Sequence, residues 1–332
     1  MSGAPLLQAD DLARAFVVRR SLADVIRSES PPSVRALNGV SLSIARGETV
    51  AVVGESGCGK STLARALVRL IELDAGQIDF AGANVRTLRG AALRNYNRRV
   101  QLVFQDPYGS LNPRMTVRQI LGEALAVHRI VPRAARAARI AELLGLVHLP
   151  ADAGDRLPRH FSGGQRQRIA IARALAVEPD LLIADEVVSA LDVSVQAQIL
   201  NLLLELQQRL GLAILFVSHD LRVVRHLAHR VAVMYLGRIV ELGPTDAVFD
   251  APRHPYTQAL LRAAPKLVPG GRSPDAAITG ELPSPLAIPT GCPFHPRCPQ
   301  AIDQCRSTAP REVLLPQGHR ASCHLVTQPC GE

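Results

Sequence analysis

Gly54-Glu55-Ser56-Gly57-Cys58-Gly59-Lys60-Ser61 is the stretch that decides how this chain reads. It matches G-x-x-x-x-G-K-[ST], a loop that cradles phosphate. Thr49-Val50-Ala51-Val52-Val53 precedes it, the kind of continuous run that fills a strand buried on both faces of a parallel sheet. A helical pattern from Lys60 to Ile71 follows. Glycines let backbone N–H groups wrap around phosphate oxygens at the helix N-terminus. Lys60 supplies a compact charge near the β and γ phosphates and Ser61 a hydroxyl for Mg²⁺, with Thr62 next in the first turn. Lys60 and Lys266 are the only lysines in a chain that otherwise uses arginine. A point charge is thus kept where a planar fork suits the site less well. Cys58 contributes backbone to the loop and needs no other role.

Two further stretches fit the same chemistry. Leu181-Leu182-Ile183-Ala184-Asp185-Glu186 is an apolar strand ending in two acids, at the end of such strands where ligands bind. Asp185 suits Mg²⁺ held through water, and Glu186 suits polarising an attacking water. Paired acids after a strand also cap helices, so the phosphate loop is what gives the pair its meaning. Ser162 and Gln165 form an S-x-x-Q capping box for a helix over Gly163–Leu175. The box leaves Gly163 and Gly164 unexplained, because glycine weakens a first turn. Exposed N–H groups there suit a second phosphate contact.

Other buried-strand candidates are Val100 to Phe104, Ala213 to Val217 and Val231 to Met234, separated by helical patterns that include Val195 to Leu210. The alternation predicts a doubly wound α/β core. Asp10 to Val18 and Val40 to Ile44 read as strands of an antiparallel edge sheet, with the polar Arg19–Val34 stretch, containing Pro31-Pro32, as a surface insertion. Thr116 to Pro158 breaks the alternation with a helical pattern over Arg133 to Leu144 closed by Gly145, so a helical subdomain is expected over about 116–175. Beyond Pro265 the texture turns Pro-rich and holds five of the six cysteines. The expected division is 1–265 and 266–332.

At 332 residues and 47% hydrophobic, the chain is too long for one average domain and too apolar for wholesale disorder. No apolar run reaches the roughly 18 residues of a membrane span. The start lacks a basic segment followed by an apolar core, which predicts no secretory signal and a cytoplasmic protein. The net charge of +9 is localised. Five arginines and no acid lie in 86–105, and nine arginines against three acids in 129–173. Either a solvated face or a partner surface accounts for them.

The order Gly54–Ser61, Gln105, Ser162–Gln165, Asp185-Glu186, Ser189-Ala190-Leu191-Asp192 and His219 resembles the nucleotide-binding subunit of ABC transporters over residues 6–265. Val103-Phe104-Gln105-Asp106-Pro107, Ser110 to Met115, Asp192 to Gln198 and His254-Pro255-Tyr256-Thr257 resemble the oligopeptide/dipeptide importer ATPases. Met234-Tyr235-Leu236-Gly237 and Gln165 are similar to the F-type member of the usual ATPase pair. The resemblance implies a P-loop NTPase core of ABC type and an ATP-hydrolysing subunit at the cytoplasmic membrane face. Its partners would be a second ATPase subunit, two permeases and, indirectly, an extracytoplasmic substrate-binding protein. It further implies that Ser162, Gly163, Gly164 and Gln165 contact ATP on the partner subunit and that Gln105 joins the Mg²⁺ and water site. His219 would hold the γ-phosphate and orient Glu186, and Asp192 would couple the two sites. Phe16 is either an adenine-stacking residue or an edge-strand core residue. Val187-Val188 stands where the family usually has proline after the glutamate, which predicts a less rigid turn.

A soluble ABC ATPase acting on nucleic acid or ribosomes is the alternative, as is an iron–sulfur protein in which nucleotide regulates. The single phosphate loop and the position of the arginines favour a transporter without nucleic-acid partners. Nickel chelates or glutathione are alternative cargoes to peptides.

Cys292, Cys298, Cys305 and Cys323 are spaced C-x₅-C-x₆-C-x₁₇-C, with Cys330 beyond. Disulfides are disfavoured in a reducing compartment, and no C-x₂₋₄-C pair marks a structural zinc. The spacing matches neither common ferredoxin run, so the residues leave zinc and iron–sulfur level. Gly291 to Pro299 resembles the C-terminal extension of this ATPase family, some members of which carry a [4Fe–4S] cluster. That resemblance implies a cluster ahead of zinc. His295, His319 and His324 are either substitute ligands or solvent-exposed loop histidines.

Overall fold

The structure, a computed structural model, describes residues 4–17, 32–263, 281 and 283–327. Most of the Arg19–Val34 insertion, the boundary near 265 and Cys330 lie outside the described residues. Along the chain, β1 (Leu7–Val17), β2 (Ser33–Ile44) and β3 (Thr49–Val53) precede α1 (Lys60–Leu67). β4 (Ala75–Phe80) and β5 (Ala83–Asn84) lead into α2 (Gly90–Arg99) and β6 (Val100–Val103). The helices α3 (Val117–Val127), α4 (Arg136–Leu146) and α5 (Gly163–Leu175) follow, then β7 (Leu181–Asp185), α6 (Val193–Leu210) and β8 (Ala213–Ser218). Next come α7 (Leu221–Leu227), β9 (Arg230–Tyr235), β10 (Arg238–Pro244), α8 (Thr245–Asp250) and α9 (Pro255–Ala263). The tail adds β11 (Glu312–Leu314) and β12 (Arg320–Ser322).

The chain forms two compact units, each assembled from separate stretches. One comprises Met1–Leu7, Ile44–Thr49 and Phe80–Val217. In it β6, β7 and β8 run parallel, with Val103 opposite Ala184 and Ala184 opposite Phe216. β7 and β8 are buried at every position, as continuous apolar runs require. The helical subdomain packs Leu121 and Leu125 of α3, Leu143 and Leu144 of α4 and Ile169 of α5 into one core. Thr116 starts α3 with a complete capping box to Gln119.

The other unit comprises Gln8–Ser43, Val50–Asp79 and Ser218–Glu332. Its antiparallel sheet has the order β2-β1-β4. Its second sheet has β3 parallel to β9, β9 antiparallel to β10, and the tail strands added in the order β10-β12-β11. The tail thus extends this sheet. Its three-residue strands are too short for period-two alternation to reveal them.

Two helix ends differ from expectation for one reason. α1 stops at Leu67, four residues before Ile71, because Arg69 adopts φ 57° and Leu70 N–H bonds back to Arg65 O while Arg69 N–H bonds to Ala66 O. α4 continues through Gly145, after a separate 3₁₀ turn at Arg133–Ala135, and ends with His148 at φ 56° and the bonds Leu149 N–H to Leu144 O and His148 N–H to Gly145 O. Both are Schellman ends with a non-glycine residue in the left-handed position. α5 spans the expected Gly163–Leu175, and α6 starts two residues earlier than Val195.

Candidate functional site

The phosphate loop leaves β3, whose five residues are all buried, and ends at Gly59, the residue before α1. Gly54 (φ 153°) and Gly59 (φ 109°) are required by space as well as conformation. A β-carbon on Gly54 would stand 2.1 Å from Met234 O, and one on Gly59 would stand 2.2 Å from Ala36 O. Lys60 is 4% exposed, and its Nζ donates to Gly54 O and Glu55 O, both at 2.9 Å. The ammonium therefore lies along the Gly54–Gly59 loop. Cys58 is buried, and burial pushes its thiol pKa up despite the neighbouring Lys60. Its carbonyl accepts Gly237 N–H at 2.8 Å, in keeping with a backbone role. Ser56 and Gly57 are exposed, and Ser61 and Thr62 are half-buried in the first turn of α1.

Within the same unit, His219 is exposed just after β8. Asp220 caps α7 by accepting Arg222 N–H at 2.9 Å, and bonding to the Arg222 side chain lowers its carboxyl pKa. Phe16 is 37% exposed on β1, with the Arg14 guanidinium 5.0 Å from its ring centroid. Phe16 is therefore not a core residue.

The second unit carries the acids. Asp185 ends β7 and is 4% exposed. Glu186 turns the chain at φ 49° and donates its N–H to Val217 O at 3.0 Å. Ser189 folds back so that its N–H and Oγ donate to Glu186 O at 3.1 and 2.9 Å. Gln105 Nε2 donates to Ser189 Oγ at 3.1 Å. Gln105, Ser189 and the Glu186 backbone thus form one hydrogen-bonded chain. Ala190 is exposed, Leu191 is half-buried, and Asp192 precedes α6 without a side-chain capping bond.

Ser162 and Gln165 make both bonds of the capping box, Gln165 N–H to Ser162 Oγ at 3.3 Å and Ser162 N–H to Gln165 Oε1 at 3.0 Å. The glycines have a packing reason that the sequence did not disclose. A β-carbon on Gly163 would approach Leu191 Cδ2 at 3.3 Å, and one on Gly164 would meet Val195 Cγ1 at 2.3 Å. Glycine here lets α5 start against α6.

In the tail, Cys292, Cys305 and Cys323 are buried, Cys298 is half-buried, and all four are free thiols lining one cavity of about 10 Å³. Burial, first, and the neighbouring thiols raise the pKa values of Cys292, Cys298 and Cys323, that of Cys292 to about 11. Backbone N–H groups two residues on oppose this at Cys292, Cys298 and Cys323. Among the described residues no set of three or more His, Cys, Asp or Glu side chains is arranged to hold a metal ion. The three tail histidines have other partners. His295 Nδ1 pairs with Cys292 O, His319 Nε2 with Glu241 Oε1, and His324 Nε2 with Thr308 O.

Residues 37–189 match the ABC transporter family, and residues 240–305 match the oligopeptide/dipeptide transporter C-terminal region. A probable peptide ABC transporter ATP-binding protein of Sinorhizobium fredii is 54% identical over 89% of this chain and 83% of its own. The di/tripeptide transport ATP-binding protein DppF of Pseudomonas aeruginosa is 48% identical over 97% of this chain and 98% of its own. This chain belongs to the ABC transporter ATP-binding family. Among solved structures, the ABC ATPase fold recurs in cbiO1 of Clostridium perfringens, at TM-score 0.63 and 28% identity over 74% of this chain and 91% of that one. It also recurs in the ATP-binding cassette MJ0796, dimeric in a post-hydrolysis state with ADP and Pi, at TM-score 0.62 and 26% identity over 72% and 98%.

In this ABC ATPase, Val187 and Val188 are both buried where the family usually starts its turn with proline. The Ser189 bonds to Glu186 O close the turn without that ring. Sequence reasoning missed Tyr256 and Arg297, which both hold Glu55. Their only signal was the pair of strings His254–Thr257 and Gly291–Pro299, whose residues carry no nucleotide chemistry of their own.

Proposed function

We propose that this ABC ATPase is the F-type motor subunit of an importer of di- and oligopeptides. The carrying observation is the joint match of residues 37–189 to the ABC family and 240–305 to the oligopeptide/dipeptide C-terminal region. Close relatives named for peptide import support it. Residues 1–265 serve as the nucleotide-binding domain, with a helical subdomain over about 116–175, and 266–332 as its extension. The subunit works at the cytoplasmic membrane face, paired with a second ATPase subunit and two permeases that a substrate-binding protein feeds. Among the described residues no helix is long and apolar enough to cross a membrane. The dimeric MJ0796 cassette supports pairing.

The loop amides of Gly54–Ser61 and Lys60 bind the phosphates of ATP, and Phe16 stacks on adenine. Ser61, Asp185 and Gln105 are oxygen donors that suit a hard cation. Held by them, Mg²⁺ would supply charge neutralisation of the phosphates. Glu186 polarises the attacking water, and its main chain is tied to Gln105 through Ser189. His219 holds the γ-phosphate. Ser162, Gly163, Gly164 and Gln165 serve the partner's ATP, and Ser189 to Asp192 couple the two sites. In the tail, four thiols line one cavity, which supports thiolate ligation, although among the described residues they are not arranged to hold a metal ion. A [4Fe–4S] cluster held by Cys292, Cys298, Cys305 and Cys323, ahead of zinc, would cross-link the tail.

Reconstitution with the partner ATPase and both permeases tests the transport reading. Uptake of dipeptides coupled to ATP hydrolysis is expected. Uptake of nickel chelates or glutathione with peptides ignored, or salt-sensitive nucleic-acid binding without permeases, would overturn it. Iron, sulfide and zinc analysis after anaerobic purification tests the cluster, and stoichiometric zinc without sulfide would sink it.

A further inference from the structure

Arg297 stands one residue before Cys298, yet its guanidinium serves the phosphate loop. Nη1 and Nη2 donate to the two Glu55 oxygens at 2.7 and 2.9 Å. The Arg297 side chain is 5% exposed and that of Glu55 26%. Exposed ion pairs contribute little, whereas removing one member of a buried fork leaves an uncompensated charge. Tyr235 Oη lies beside the guanidinium but outside hydrogen-bond geometry, and Arg297 Nε is buried without a hydrogen-bond partner, so the two bonds to Glu55 are what orient the fork.

Glu55 is held at a second point. Its N–H donates to Tyr256 Oη at 3.0 Å. Tyr256 lies in a buried aromatic cluster with Tyr235 and Phe294, with ring centroids 4.6 Å (Tyr235–Tyr256), 5.3 Å (Tyr256–Phe294) and 5.4 Å (Tyr235–Phe294) apart. The segment from Gly291 to Cys298 therefore supplies both an aromatic wedge and a cation to the loop. Its own backbone is constrained by Cys292 N–H to Cys305 O at 2.8 Å and Arg297 N–H to Phe294 O at 3.0 Å. Gly291 has φ 67°, and a β-carbon on it would stand 2.4 Å from Cys305 O.

We infer that Arg297 is a positioning residue for ATP binding, acting through Glu55 to hold the Gly54–Lys60 loop in its phosphate-accepting shape. The folded cysteine-rich tail is thereby coupled to nucleotide affinity. Coupling is reciprocal, so bound nucleotide stabilises the Gly291–Cys298 segment by the same factor. The inference rests on the loop being the phosphate site, which Lys60→Ala tests separately.

The test uses the full-length chain, titrated with a fluorescent ATP analogue and Mg²⁺, and then the assembled transporter. Arg297→Gln and Glu55→Gln are each expected to weaken binding about tenfold, with the double variant no weaker than either single one, as for two halves of one contact. In the transporter, KM for ATP should rise while kcat stays within about twofold, a split that general destabilisation does not produce. Arg297→Lys, which keeps the charge and loses the fork, should fall between. In the unaltered chain, ATP should slow amide hydrogen exchange over Cys292–Cys298. A folded Arg297→Gln protein that binds ATP as tightly as the parent, additive losses, or unchanged exchange would overturn the inference. If Arg297→Gln does not fold, Glu55→Gln and the exchange measurement decide. If Lys60→Ala alone leaves binding intact, it is the phosphate reading that fails.

Discussion

A β-carbon on Gly164 would stand 2.3 Å from Val195 Cγ1, so the helix capped by Ser162 packs directly on the helix that follows the Ser189–Asp192 turn. Val195 is β-branched and stiff, so it has no free rotamer with which to retreat. Gly164→Ala should cost about 1–3 kcal/mol as overpacking, seen as a lower Tm. Val195→Ala in the same chain should restore part of the loss. Equal melting temperatures for Gly164→Ala and the parent would remove the packing explanation.

Lys60 is buried and held by two loop carbonyls, so its charge is pre-aimed. Lys60→Ala removes a charge-assisted contact to phosphate worth about 1.5–3 kcal/mol, or on the order of 10- to 100-fold in ATP affinity. Lys60→Arg should rescue little, because a planar fork cannot make both carbonyl contacts and meet phosphate from the same place. Nucleotide titration reads both, and full rescue by arginine would contradict the point-charge reading.

Glu186→Gln keeps the size of the side chain and removes the carboxylate proposed as the base. Hydrolysis in the assembled transporter should fall by about 10²–10⁴, with ATP binding retained. Ser189→Ala, which unties Gln105 from the Glu186 carbonyl, should have a smaller effect in the same direction. Hydrolysis by Glu186→Gln at the parent rate would remove Glu186 from the role of base.

His254 is fully buried, and burial lowers its pKa from 6.5 to about 4. As pH falls, the unfolded chain takes up this proton first. His254 therefore costs no stability above about 6.5, and stability drains away between 6.5 and 4, by up to about 1.4 kcal/mol per pH unit. His254→Asn retains an acceptor for Tyr256 N–H, which His254 Nδ1 accepts at 3.0 Å. Thermal melts at pH 7 and pH 5 should show a smaller acid-induced drop in this variant than in the parent. An identical drop would assign the acid sensitivity elsewhere.

The parts legible in the sequence were those with a short-range cause. Continuous apolar runs marked β3, β7 and β8, the S-x-x-Q box marked the start of α5, and the glycine–lysine spacing marked the phosphate loop. The ends of α1 and α4 were not legible, because arginine and histidine occupy left-handed positions that usually carry glycine. β10 and the tail strands were missed for want of a clear period.

The sequence by itself determined the chemistry of this protein: a loop with few conformational alternatives, a lysine at its end, and acids at a strand terminus. Local backbone freedom and charge placement act over a few residues and need no fold to be read. Only the tertiary structure decided what holds that loop and why Gly163 is followed by a second glycine, Gly164. Arg297 lies 242 residues from Glu55, and Gly164 meets Val195 across two helices. Such contacts have no local signature, because a distant partner is selected by shape and buried charge once the chain has folded.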